Sequence, residues 1–376
     1  MKNLDFLAVC SFGLEGILKN ELKNLGYNII DVKNGKVFFN GTEEDIARTN
    51  INLRTADRIY IQLKKFKALD FDDIYNKINE ICWPEYIPSD GRIVVNASSK
   101  KSQLKSERSL QSVGKKAVID AMKTKYNINS FPETGDEYNI KIDINKDEAL
   151  LLFDTTGEGL NRRGYRIEAG EAPIKETLAA ALVFISGWNP DFYLVDPFCG
   201  SGTIVIEAAM IANNIPPGLY REFSSKNWEF VDSKIWERAE REAKQNIKNK
   251  DLKIMGTDMN HEMIEISKRN ASRAGVGRYI DFEVKNIKRF KYPSEKGFII
   301  TNPPYGERMQ EQKIRNLYET MGNKFRKKPG WAQYIITSFR DFREAYGRRE
   351  DKNRKLYNGN IQCYLYQYYY KRKRNR

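Results

Sequence analysis

An apolar run, Phe192-Tyr193-Leu194-Val195, stops at an aspartate and passes through PFCGSGT into IVIEAAMIA, a small-residue stretch with helical character. This strand–loop–helix unit limits the fold more than any other part of the chain. Gly200 and Gly202 let the backbone pass close to a ligand, and the carboxyl end of a strand is where open α/β sheets bind cofactors. The next strand pattern, KIMGTD, ends in a second acid, Asp258, and IDFEVKN ends at Asn286. A further apolar run, Phe298-Ile299-Ile300, leads into Thr301 and then Asn302-Pro303-Pro304-Tyr305. Repeated strand–helix units predict a parallel sheet. Successive strands that end in polar groups on one sheet edge describe an adenosine-shaped site better than a core.

The chain before this region has a different texture. A strand pattern FLAVCS, a helical run from Leu14 to Leu25 with a stop at Gly26, and a hairpin IIDVKNGKVFF turning at Asn34-Gly35 make a first module, residues 1–55. Alternating strand and helix patterns continue over residues 56–156, with α+β character. Residues 157–172, rich in glycine and charge, read as a linker, and residues 173–376 form the sheet-and-helix domain. The chain of 376 residues is long enough for each part to bury a core. No stretch approaches the roughly 20 apolar residues of a membrane span, and the amino terminus lacks a signal-peptide pattern. A cytoplasmic location without membrane association is the expectation. Cys10, Cys82, Cys199 and Cys363 lie far apart with no C-x-x-C pair, so reduced thiols are expected, and neither a disulfide frame nor a metal site.

The net charge of +14 lies almost wholly in the second half of the chain. The first half has one basic cluster, Ser98–Ala117, in which Lys100, Lys101, Lys105, Arg108, Lys115 and Lys116 stand against one acid. Such a surplus suits a polyanionic partner, because each Lys or Arg set on a phosphate releases counterions. Arg162, Arg163 and Arg166 in the linker are candidates for the same contact.

Neither G-x-G-x-x-G nor G-x-x-x-x-G-K-[ST] is present, which argues against nicotinamide and NTPase sites. The order D-x-F-x-G-x-G, then a strand-ending acid, then N-P-P-Y resembles the class I S-adenosylmethionine-dependent methyltransferases that act on amines. The linker NRRGYR, the helix APIKETLAAALV, DPFCGSGTIVIEAAMIA, TNPPYGERM and LYETMGNKFRKKPGWAQYIITS narrow the resemblance. Together they are similar to the THUMP-containing rRNA guanine-N2-methyltransferases, the group like the amino-terminal half of bacterial RlmL. LRTADRIY is similar to that family's ferredoxin-like module and SSKKSQLKSERSLQSVGKKAV to its THUMP RNA-binding domain.

The resemblance implies an α/β, Rossmann-like class I methyltransferase domain with a mostly parallel seven-stranded sheet, preceded by α+β ferredoxin-like and THUMP modules. It implies S-adenosylmethionine as cofactor, no metal, and structured RNA, foremost 23S rRNA or a ribosomal precursor, as partner. No obligate protein partner is inferred. Asp196, Pro197, Phe198, Cys199, Gly200, Ser201, Gly202 and Thr203 would form the first cofactor loop. Asp258 and Met259 would meet the ribose, Asn286 and Ile287 the adenine, and Thr177 the methionine end, with Lys175 beside it. Asn286 stands where many relatives have Asp, keeping a side-chain oxygen for the adenine amine and adding an NH2 donor.

Asn302, Pro303, Pro304 and Tyr305 would be catalytic. The lone pair of a nucleobase amine is delocalised into the ring. If the Asn302 oxygen and the Pro303 carbonyl both accept its protons, the lone pair turns toward the methyl group without a strong base. The prolines fix φ and remove competing N–H donors, and Tyr305 can stack on the base. His261 reads as a helix first-turn residue rather than a base, and Glu307 and Arg308 as loop-ordering or phosphate-contacting groups. An N6-adenine or tRNA N2-guanine methyltransferase and a noncatalytic RNA-binding assembly factor remain as alternatives.

Overall fold

The computed structural model describes residues 3–168, 173–305, 310–325 and 328–369. Glu307, Arg308 and the basic end KRKRNR lie outside the described residues.

The amino-terminal half begins with β1 (Asn3–Val9), α1 (Glu15–Asn24), β2 (Ile29–Lys33), β3 (Lys36–Thr42) and α2 (Glu44–Asn52). It continues through β4 (Arg58–Lys67), α3 (Phe71–Asn79), β5 (Arg92–Lys100), α4 (Glu107–Tyr126), β6 (Glu137–Asn145) and β7 (Glu148–Asp154). All seven strands share one sheet in the order β2-β3-β1-β4-β7-β6-β5. Strand β4 pairs with β1 on one side and with β7 on the other, so both amino-terminal modules are stitched into a single sheet. The long helix α4 opens at Ser106, whose hydroxyl caps the Ser109 amide, and closes on Asn127 in the left-handed conformation. Its Gly114 admits Ile142 from β6, since a Cβ there would fall 2.5 Å from the Ile142 Cδ1.

The second half runs α5 (Glu176–Ser186), β8 (Tyr193–Asp196), α6 (Thr203–Ala212), α7 (Ser233–Gln245), β9 (Ile254–Asp258) and α8 (His261–Arg273). Then come β10 (Ile280–Val284), β11 (Gly297–Thr301), α9 (Glu311–Phe325), β12 (Trp331–Thr337), α10 (Phe342–Tyr346), β13 (Lys352–Asn358) and β14 (Ile361–Tyr368). The sheet order is β10-β9-β8-β11-β12-β14-β13, parallel through β12 and antiparallel in the closing hairpin, as the strand–helix pattern predicts. Chain order reverses between β8 and β11, so the crevice at their carboxyl ends is a topological switch point. Helices α5 and α6 are apolar nearly all round, with almost every residue buried, as expected of helices sandwiched between a sheet and a second layer.

The described part of the segment read as a linker, residues 157–168, packs against the rest of the chain. Arg163 is buried, with its guanidinium 3.5 Å from Glu207 on α6, and Tyr165 donates to the same carboxylate at 3.0 Å. Arg166 bonds the Ile174 carbonyl at 2.7 Å, Thr203 Oγ1 at 3.1 Å and Glu176 at 2.8 Å. Two of the three arginines assigned to phosphate are thus withdrawn from solvent, because internal carboxylates claim them. Arg162 remains exposed, in an ion pair with Glu158. Among the described residues no helix is long and apolar enough to cross a membrane, and the four cysteines are free.

Candidate active site

The switch point opens into a cavity of about 870 Å³, in the range of small-molecule sites. Asp196, Pro197, Phe198, Cys199, Gly200, Ser201 and Thr203 form its floor. The loop is shaped by the Cys199 amide bonding Thr257 O, the Gly202 amide bonding Cys199 O, and Asn270 holding Ser201 O at 3.1 Å. Gly200 has φ +51°, and an added Cβ would meet nothing within 4 Å, so the backbone there borders open space. Gly202 supports the loop from behind rather than lining the cavity. It starts α6 at φ +86°, and a Cβ would stand 3.0 Å from Ser267.

Asp196 is buried at the floor. Its Oδ1 accepts the Thr301 hydroxyl at 2.6 Å and the Phe198 amide at 3.1 Å. Burial raises its pKa to about 7, with the Asp258 charge adding to the rise and the two donors opposing it. Asp258, at the end of β9, accepts the Gly200 amide at 3.1 Å and the Asn260 amide at 2.9 Å. Each carboxylate oxygen keeps a lone pair for further donors such as vicinal hydroxyls. Met259 beside it is exposed at the rim.

Asn286 closes the far end. Its side-chain oxygen accepts the Lys288 amide at 2.9 Å, which fixes the amide orientation and leaves its NH2 to donate. The oxygen expected to meet an adenine amine accepts this one bond and keeps its second lone pair. Buried Ile287 lines the cavity beside it.

Asn302, Pro303 and Pro304 line the opposite wall. The Asn302 Oδ1 is buried, with no hydrogen-bond partner among the described residues. An orphaned buried acceptor costs about 1–3 kcal/mol, a cost removed when a donor enters. The turn is held from behind by Tyr318, whose hydroxyl bonds Pro304 O at 3.0 Å and Thr337 Oγ1 at 2.7 Å.

Two expected positions differ. Tyr305 is buried, with its hydroxyl 3.4 Å from Asn358 Nδ2 and 3.7 Å from Cys363 Sγ. It packs against the β13–β14 hairpin instead of offering a face to a base. Thr177 is buried and donates to Asp57 at 2.8 Å, and the Lys175 amide donates to Asn358 at 3.2 Å. Thr177 joins the two halves of the chain and Lys175 is held to β13, and neither lines the cavity, whose near wall is Pro173 and Ile174.

Sequence reasoning missed one wall altogether. Lys313, Asn316, Leu317 and Thr320 project from a single stripe of α9 into the cavity. Their three- and four-residue spacing, starting eight residues past Tyr305, was the available signal.

Basic residues of the α4 region divide. Lys115 pairs with Glu133 at 2.8 Å, and Lys116 pairs with Asp120 at 2.8 Å and lies 4.7 Å from the Tyr75 ring centroid. Lys100, Lys101, Lys105 and Arg108 are exposed on the β5–α4 connection and the first turn of α4. His261 opens α8 behind the Asn260 cap, away from Asn302 in the sheet order. Among the described residues no cluster of three His, Cys, Asp or Glu is arranged to hold a metal ion.

Three family models match in succession: the RlmL ferredoxin-like domain over residues 5–60, the THUMP domain over 68–154, and the RMKL-like methyltransferase domain over 163–367. The chain is 44% identical over 375 residues to YpsC of Bacillus subtilis (strain 168), a candidate RNA methyltransferase, covering 99% of this chain and 97% of that one. It is 35% identical over 378 residues to the ribosomal RNA large subunit methyltransferase K/L of Vibrio cholerae O1 (strain O395), covering 96% of this chain. Only 53% of that relative is spanned, so this chain corresponds to about half of the K/L protein. The crystal structure of SMU.472, a candidate methyltransferase in complex with S-adenosylhomocysteine, superposes with a TM-score of 0.92 at 39% identity and 99% coverage of both chains.

Proposed function

Because the chain belongs to the RMKL-like methyltransferase family with RlmL-type ferredoxin-like and THUMP domains, we propose that it methylates the exocyclic N2 of a guanine in large-subunit rRNA. The observation that carries the reading is the buried, partnerless Asn302 Oδ1 at the wall of a cavity floored by Asp196 and flanked by Asp258.

S-adenosylmethionine, when bound, supplies an electrophilic methyl group on a sulfonium. The residues fit it. The open backbone at Gly200, the spare lone pairs of Asp258 and the donor NH2 of Asn286 suit an aminoacyl chain, a ribose and an adenine respectively. Asn302 would accept a hydrogen bond from one amine N–H and the Pro303 carbonyl from the other, aiming the nitrogen lone pair at the methyl group, and the proton shed after transfer would pass to water. Tyr318 holds the proline turn, so the acceptors need little reorganisation. THUMP-domain membership and the exposed Lys100, Lys101, Lys105 and Arg108 support RNA as the substrate.

The test is incubation with labelled S-adenosylmethionine and rRNA from a strain lacking the gene, followed by nucleoside mapping. Label in N2-methylguanosine supports the proposal. Label in N6-methyladenosine assigns the same acceptor pair to another base, and no label from an intact enzyme overturns it.

A further inference from the structure

Outside the cavity, two aromatic rings from opposite halves of the chain meet at the surface. Phe12, 46% exposed in the loop after β1, lies edge-on to Tyr357 of β13 with ring centroids 6.0 Å apart. Exposed Lys355 sits 5.5 Å from the Tyr357 ring centroid. A shallow groove of about 390 Å³ runs between Ser11, Phe12, Lys355, Tyr357 and Gly359.

The loop that carries Phe12 is fixed. Gly13 takes φ +90°, where an added Cβ would stand 2.8 Å from Lys355 O, and its amide bonds Glu15 at 3.0 Å. Leu14 N bonds Ser11 O at 3.1 Å. Neighbouring acids are engaged internally: Glu15 holds the Gly13 and Gly35 amides, and Asp57 takes the Thr177 hydroxyl. An ordered ring loses little freedom when a ligand stacks on it.

The strand that carries Tyr357 also contacts the turn after Asn302. Asn358, between Tyr357 and Gly359, reaches the Tyr305 hydroxyl at 3.4 Å, three residues from Asn302. Aromatic faces beside a lysine match an unpaired nucleotide, whose base stacks while its phosphate meets the cation. The basic surplus of this half of the chain favours the same occupant.

Resting on the RNA reading above, we infer that Phe12, Tyr357 and Lys355 form a second nucleotide subsite. It stacks an unpaired base of the RNA next to the guanine that enters the cavity, and so makes the amino-terminal module part of substrate selection.

The experiment uses the full chain and deproteinised rRNA from a strain lacking the gene. Phe12→Ala is expected to weaken equilibrium RNA binding, and to raise the KM for RNA, by about ten-fold or more. Affinity for S-adenosylmethionine and kcat stay unchanged. Phe12→Trp restores RNA binding, and Lys355→Gln flattens the dependence of binding on salt. Photocrosslinking from iodouracil-substituted RNA should map to Phe12 or Tyr357. A Phe12→Ala protein with a lower melting temperature but wild-type RNA binding would reduce the pair to a seam between modules and overturn the inference. Wild-type protein that binds RNA and loses binding in Phe12→Ala, yet transfers no methyl, would defeat the enzymatic reading alone. Wild-type protein that binds no RNA would defeat both.

Discussion

Thr301 donates its hydroxyl to Asp196 Oδ1 at 2.6 Å, tying the end of β11 to the end of β8 inside the core. The residue after each of these two opens onto the cavity: Asn302 on one side, Pro197 on the other. The pair therefore sets the spacing between the wall that would hold the amine and the floor that would hold the cofactor. Thr301→Val keeps the shape and removes the donor. It should lower kcat and weaken cofactor binding together, each by an amount on the order of 1–3 kcal/mol, read by steady-state kinetics and calorimetry.

Asn302→Ala removes the orphaned acceptor without enlarging the floor. The expected loss is on the order of 100- to 1,000-fold in kcat, with cofactor affinity unchanged. Because Asn302 Oδ1 is buried without a partner, the variant should melt at or above the wild-type temperature. Single-turnover methyl transfer and a thermal scan check both halves of this statement.

Asp196 makes stability depend on pH. Its ordinary value of 3.8 applies to the unfolded chain, and burial raises the folded value to about 7. Between these values the folded state holds the extra proton, so stability falls as pH rises from about 4 to 7. Asp196→Asn should flatten the pH slope of the melting temperature across that window. An unchanged slope would mean that another group carries it.

Arg163 should behave as a structural residue. Arg163→Ala removes the cation beside buried Glu207 of α6, which keeps the Tyr165 hydroxyl, and is expected to cost about 3–5 kcal/mol of stability in denaturant titrations. The salt dependence of RNA binding by the folded fraction should not change. Lys105→Gln with Arg108→Gln should do the reverse, lowering the salt slope by about 2 and leaving stability nearly untouched.

What could be read from the chain alone follows a physical division. Asp196, Asp258, Asn286 and Asn302 were legible because strand-end chemistry demands particular side chains where apolar runs stop, and both features are local in sequence. Arg163, Arg166, Thr177 and Tyr305 were misjudged because their partners are Glu207, Glu176, Asp57 and Asn358. For Arg163, Thr177 and Tyr305 those partners lie tens of residues away, and burial by a distant element leaves no local pattern. Glu176 is only ten residues from Arg166, but charge and glycine content alone made that stretch read as a linker. That the two modules of the first half share one sheet left no local pattern either. Strand β4 reads equally well as the start of one module or the end of another, and only its pairing with both β1 and β7 joins them.

That double pairing carries one sheet across both amino-terminal modules. Strand pairing continues from β2 to β5, with register shifts in β2 and β4, so the helix bearing Arg108 and the loop bearing Phe12 are set on one sheet. Under the proposed function the slab acts as a yardstick: which guanine reaches Asn302 is decided by how far along the folded RNA it lies from the point of grip.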